Sequence, residues 1–214
     1  MTTTTVDETV TSRDRRTGSP LPAVAGIGAL AASVGAVAVF GDPMAGSDTP
    51  ADAATALAGS AAQPAALLVG IYALLALAVA GSLAARLGRG QDTGAVRLIP
   101  VLAAAHLLLM TLFLAAPAAA VTVGGLVLDG GVSPVGAEAA LLVMNVVHPV
   151  AGWFGAGFLI AVAIAAHTAG ASRALVVVTS TFALGLLIPP VAWIVTYLMG
   201  AWFAGVGIWL WLRR

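Results

Sequence analysis

The sequence predicts an all-α fold, a polytopic bundle of six transmembrane helices, and three observations carry that prediction. Of 214 residues, 60% are hydrophobic and only 8% charged. An ordinary soluble domain carries about a quarter charged residues, so this chain has too little polar side-chain area to cover a water-facing surface. The apolar residues fall in runs of the roughly 20 that a helix rising 1.5 Å per residue needs to cross a hydrocarbon core of about 30 Å. Finally, the nine basic residues, all arginine, lie outside those runs or in their end turns and mark one side of them.

Residues 1–21 are rich in Thr with mixed charges and no apolar period, which suits a disordered cytoplasmic tail. The first span covers about 22–41. Arg15-Arg16 ahead of it and Ala36-Val37-Ala38 near its end resemble parts of a cleaved signal sequence, but the apolar run exceeds the usual core of about 7 to 15 residues, so a retained span is expected. In the first outer loop, Thr49 followed by Pro50 pairs an N-cap with a first-turn residue ahead of Ala51-Asp52-Ala53-Ala54. That reads as a short surface helix capping the bundle, with a substrate lid as the alternative. Gln63-Pro64 starts a second span over about 64–87, and a third follows over about 96–121. A Gly-rich connection, 123–136, leads through Ser133-Pro134 into a fourth span over about 138–166.

The stretch from Ala174 to Leu212 holds roughly 39 residues without a charge. Pro189-Pro190 divides it, because two successive missing N–H groups and the ring clashes end a helix there. The fifth and sixth spans are therefore placed at 171–188 and 191–212. Arginine in short loops stays cytoplasmic. Six spans with the N-terminus inside put Arg13, Arg15, Arg16, Arg86, Arg89, Arg97, Arg173, Arg213 and Arg214 on the cytoplasmic side, and leave Asp42, Asp48, Asp52, Asp129 and Glu138 outside. Both termini are then cytoplasmic, in a multi-pass protein of the cell membrane.

Phe40 and Trp193 fall near the outer face and Trp209 and Trp211 near the inner one, where aromatic rings anchor a bundle. Trp153 and Trp202 lie deeper and are expected to pack against neighbouring helices. Small residues recur at four-residue spacing in Gly28/Ala32/Ala36, Ala76/Ala80/Ala84, Gly152/Ala156 and Gly200/Ala204, so that backbones can approach closely. These faces suit a compact bundle, and also a homo-oligomer or a partner in a membrane complex.

Several classes of chemistry are excluded. With no cysteine there are no disulfides, thiolate metal sites or cysteine nucleophiles. A zero net charge with no Lys gives no field for nucleic acid, so the expected partner is the lipid bilayer. No Gly-x-Ser-x-Gly elbow, His-Glu-x-x-His pair or Walker loop occurs, and no Asp, Glu or Arg lies deep in a span. A non-enzymatic membrane protein is the leading expectation, as a small permease or as a subunit or scaffold of a complex.

Polar side chains that remain at depth are therefore the place to look. Ser33, Ser82, Thr111, Ser180 and Thr196 can satisfy themselves on the preceding turn of their own helices. His106 and His148 stand apart. Each falls roughly 13 to 15 Å from its charged flank, on consecutive antiparallel spans, so their rings are expected near one level. Met110 and Met144 each lie one turn from a histidine, and Asn145 sits three residues from His148, where it could orient the ring. Three readings compete: glue between helices; a metal site, with imidazole and thioether for copper(I) or opposed imidazoles for haem; and a polar point on a substrate or proton path. His167, at the inner edge of the fourth span, reads as a solvated interfacial residue.

Overall fold

A computed structural model describes residues 19–41, 49–89, 93–129 and 131–213. The expected disordered tail lies outside these residues except for its last three. The described residues form seven α-helices and no strand: α1 (Leu21–Phe40), α2 (Pro50–Ala58), α3 (Ala62–Leu87), α4 (Gly94–Val127), α5 (Pro134–Thr168), α6 (Arg173–Leu187) and α7 (Pro189–Leu212). Five of them, α1, α3, α4, α5 and α7, are long and apolar enough to cross a membrane. The apolar α6 has 15 residues, or about 22 Å of helix.

Local chemistry sets the helix ends. Thr49 Oγ1 accepts from Asp52 N at 3.2 Å and donates to the Asp52 carboxylate at 2.7 Å, with Pro50 in the first turn, so α2 starts on a satisfied cap. Ser133 Oγ accepts from Gly136 N at 3.0 Å ahead of Pro134, and Ser172 caps α6 in the same way. Between α6 and α7 stands Ile188 in an extended conformation, which is what a following proline imposes. By contrast, α4 continues through Pro100 and Pro117, and α5 through Pro149. Each such proline forgoes one bond to the residue four before it, a loss that membrane helices tolerate.

Glycines fix the pairing of α1 with α7. A Cβ at Gly26 would lie 2.6 Å from the Phe203 carbonyl oxygen, Gly207 meets the Pro22 carbonyl, and Gly200 meets the Ser33 hydroxyl, so the two helices run antiparallel in backbone contact. In α4 and α5, Leu102 lies beside Gly157 and His106 beside Gly155, again antiparallel. Thr179 pairs with Trp202 and Gly185 with Val195 across the α6–α7 hairpin. The Arg86 guanidinium donates to the Arg213 carbonyl, joining the ends of α3 and α7, while Gln63 donates to Thr122 at 3.0 Å at the opposite end. The described arginines Arg86, Arg89, Arg97, Arg173 and Arg213 therefore share one end of the bundle, and Asp52, Asp129 and Glu138 share the other. These are called the arginine end and the acidic end below.

The expected small-residue faces are largely consumed inside the chain: Ala32, Ala36, Ala76, Ala80, Gly152, Ala156, Gly200 and Ala204 are all buried. Helices α4 and α5 have 34 and 35 residues, roughly 50 Å each, and overshoot a 30 Å core. Their acidic ends meet α2, where Ala53, Ala54 and Leu57 are buried with Ala62, Ala137 and Ala140.

Candidate functional site

Towards the arginine end the centre of the bundle is filled, and open space is an outer groove between α6 and α7 that reaches Trp202. Phe158, Phe203 and Met199 are fully buried, and the rings of Phe158, Trp202 and Phe203 pack at centroid distances of 5.1 to 5.9 Å. The Trp202 indole N–H donates to Thr179 Oγ1 at 3.2 Å, which satisfies the polar atom of each at depth. Trp202 packs as the sequence suggested. Trp153 does not: it is 64% exposed and faces outward from α5. It lies where 100° per residue carries the helix from its buried Ala151-Gly152 side to its outer side, a register that hydropathy alone does not fix.

Nearer the acidic end the interior opens into a cavity of about 90 Å³. Its wall is built from the last turns of α1, the first half of α3, the middle of α4, His148 of α5 and the start of α7, and it carries Tyr72, Met110, Phe113, His148, Trp193 and Tyr197. The His148 ring stacks on Trp193 with centroids 3.4 Å apart and planes 10° apart, and Phe113 packs against both at 5.8 and 5.9 Å. Trp193 therefore does more than anchor an outer face, the role expected for it. No residue of α2 lines the cavity, so among the described residues this helix caps the overshoot of α4 and α5 and is not a lid on this space.

The two histidines have different environments. His106 Nδ1 donates to the Ala151 carbonyl at 2.8 Å, and its ring lies over Gly155, where a Cβ would come 2.8 Å from Nδ1. Glycine at 155 is thus what admits the ring. That bond leaves His106 Nε2 with a lone pair, sealed in the interior without a partner. His148 is 4% exposed, makes no hydrogen bond, and its Nε2 is likewise sealed and unpartnered. Ala151 and Gly155, which the His106 ring meets, are three and seven residues from His148, so the rings do not share the one level expected from counting but are offset by between one and two turns along the bundle axis.

The neighbours proposed for them are only partly assembled. Met110 is buried and shares the cavity wall with His148; His106 and the half-buried Met144 are not part of that wall. Asn145 is exposed and makes no hydrogen bond, so it does not orient His148. The physical reason is the end of α6: Leu186 lies against Gly152, and beyond that level α5 has no α6 beside it to cover its flank. Ser33, Ser82, Thr111 and Thr196 each donate to a carbonyl three or four residues back, as helix geometry allows. His167 is exposed in the last turn of α5.

Among the described residues no three His, Cys, Asp or Glu side chains come together to hold a metal. A copper(I) ion held by one imidazole and one thioether has His148 and Met110 on a common wall. The opposed imidazoles that a haem would need are not assembled on this wall, which carries His148 and not His106.

Sequence reasoning missed Tyr72 and Tyr197, the two tyrosines of the chain, both on the cavity wall. The signal was available, because a phenol hydroxyl within a span is as much a polar group at depth as a serine. Tyr72 is 6% exposed, packs edge-on against Phe203 at 6.1 Å, and its hydroxyl has no partner among the described residues. The chain matches no protein-family model, no curated protein and no solved structure.

Proposed function

We propose that the chain is a multi-pass integral protein of the cell membrane, crossing it six times with both termini in the cytoplasm, and that it acts without covalent chemistry, as a small permease. The single observation that supports this reading is the ring-lined cavity within a helical bundle, whose described wall carries hydrogen-bonding groups but no Asp, Glu or Arg. Such a wall suits holding and passing a small neutral molecule.

Helix α6 counts as the fifth span because it lies side by side with crossing helices: Thr179 meets Trp202 and Gly185 meets Val195 of α7. The orientation follows from the shared end of the described arginines, since arginine in short loops remains cytoplasmic. A fluorescent protein fused after Arg214 is expected to fluoresce and an alkaline phosphatase there to be inactive. An active phosphatase would overturn both the six-span count and the orientation.

A second reading is favoured by one observation, the sealed and unpartnered Nε2 atoms of His106 and His148. In it, copper(I) is held through His148 and Met110. Protein purified in detergent is expected to contain no stoichiometric copper and to take up none; one equivalent bound by wild type and lost in Met110→Leu would install this reading in place of the first.

A further inference from the structure

We infer that the cavity is a binding site for one neutral, single-ring amphiphile bearing a hydrogen-bonding oxygen, a phenol-class molecule. This rests on reading the cavity as the working site of the protein, and three properties of its wall select the class.

Size comes first. About 90 Å³ is room for a few heavy atoms, less than a flat ring in a closed box, but the space is not fully enclosed, so a ring can enter with one edge towards the opening. Shape and surface come second. Phe113, Trp193 and Tyr197 offer ring faces and edges, and Val69 and Leu114 complete an apolar wall, which is what a planar ring packs against best.

Polarity decides the rest. Two wall side chains, each more than nine-tenths buried, have unspent hydrogen-bonding capacity: the Tyr72 hydroxyl and the His148 ring. Of the His148 nitrogens, Nε2 is sealed, whereas Nδ1 is neither sealed nor hydrogen-bonded and is the one the wall can present. The serine and threonine hydroxyls of the same wall, Ser33 and Thr196, already donate to their own helices. A ligand oxygen that both donates and accepts matches a phenol hydroxyl on one side and an imidazole nitrogen on the other. A carboxylate or ammonium would meet no opposite charge on the described wall and would leave water uncompensated. A hydrocarbon would leave Tyr72 and His148 dry.

The test uses the full chain in phosphatidylcholine nanodiscs and three fluorinated probes built on one ring, 4-fluorophenol, fluorobenzene and 4-fluorobenzoate, followed by fluorine NMR against empty nanodiscs. Saturable binding of 4-fluorophenol is expected, with fluorobenzene about tenfold weaker and 4-fluorobenzoate indistinguishable from empty discs. Tyr72→Phe and His148→Leu should each weaken 4-fluorophenol several-fold and leave fluorobenzene unchanged. Val69→Phe, which fills the space and spares both polar groups, should abolish binding of all probes. Equal affinity for 4-fluorophenol and fluorobenzene would overturn the inference and make the cavity an acyl-chain slot. Tightest binding of 4-fluorobenzoate, or no saturable binding by the wild type, would overturn it too. The wild-type probe ranking is independent of whether any variant folds. Binding failure beside fluorescent C-terminal fusions sinks this inference and leaves the six-span reading standing; binding beside an active phosphatase does the reverse.

Discussion

The arginine-end half and the acidic-end half of the bundle are both rich in rings, yet the first opens as an outer groove between α6 and α7, and the second holds a cavity among five helices. Phe158, Trp202 and Phe203 close the first, with the single indole N–H answered by Thr179. In the second, His148, Trp193 and Phe113 pack as closely, and a cavity remains. Unanswered polar atoms do not separate the halves, since Thr93 Oγ1, His106 Nε2 and Trp209 Nε1 are sealed without a partner towards the arginine end as His148 Nε2 is beside the cavity. Aromatic content is the same kind of material in each, so it does not decide the outcome. Backbone approach does. Gly26 and Gly207 draw α1 onto α7 over the first half, the approach of Gly200 to Ser33 stands at the cavity wall, and α6 lies against α5 and α7 in the first half. Nearer the acidic end α6 has stopped, and the start of α7 reaches α5 through the large Trp193 ring. Tyr72 stands at the boundary, its ring edge on Phe203 and its side chain on the cavity wall.

The largest expected effect comes from opening the closed half. A Cβ at Gly26 meets backbone atoms of Phe203 and Ala204, which cannot rotate away, so Gly26→Ala should destabilise by about 1 to 3 kcal/mol and Gly26→Leu by more. Gly205→Ala, on the same helix pair but with nothing within 4 Å, is the matched control. It should be neutral or gain up to about 1 kcal/mol from helix propensity. Melting temperatures in detergent check this: a Gly26→Ala protein as stable as Gly205→Ala would mean that close approach of α1 and α7 is not what closes this half.

A second, smaller effect separates the two histidines. The same change, His→Leu, removes a buried hydrogen bond at His106 and none at His148. His106→Leu should cost about 0.6 to 2 kcal/mol, the range for a hydrogen bond between membrane helices. His148→Leu should stay within about 1 kcal/mol of wild type, since it deletes an atom that is sealed without a partner. Equal losses would show that the two rings are glue alike, as a reading from sequence allows; the structure separates them.

Much of this architecture is legible in the sequence, and the parts that are not share a cause. The all-α class follows from the scarcity of charge, and the α6–α7 break from Pro189-Pro190, because both are local or compositional. The α2 cap was readable from Thr49-Pro50 for the same reason. His106 and His148 were identifiable as polar residues at depth, but counting from flanking charges put their rings near one level, and the structure sets them apart along the bundle axis. Their partners were not identifiable. Asn145 shares a helix face with His148 at three residues' spacing, but whether that face is covered depends on where α6 stops, a tertiary fact. Trp153 faces outward where packing was expected, and Trp193, 41% exposed, also stacks on His148, on the same ground: rotation about a helix axis in an almost uniformly apolar span leaves no hydropathy signal. A weak periodic signal is what a bundle surrounded by lipid gives, since its outside is as apolar as its inside.

The smallest expected effect concerns α2, which belongs to neither half. Thr49→Ala removes the cap that accepts from Asp52 N and the hydroxyl that donates to the Asp52 carboxylate. Loss of such a cap costs about 1 kcal/mol. Helix α2 is only 9 residues long and buries Ala53, Ala54 and Leu57 against the acidic ends of α3 and α5, so the loss should appear as local fraying and not as a lower melting temperature. Amide exchange over residues 52–58 is expected to quicken by roughly fivefold, the equivalent of that 1 kcal/mol, with exchange in α5 and α7 unchanged. Because no residue of α2 lines the cavity, binding of 4-fluorophenol should not change with it. A shift in that binding would couple α2 to the hollow half and restore the lid that the described contacts argue against.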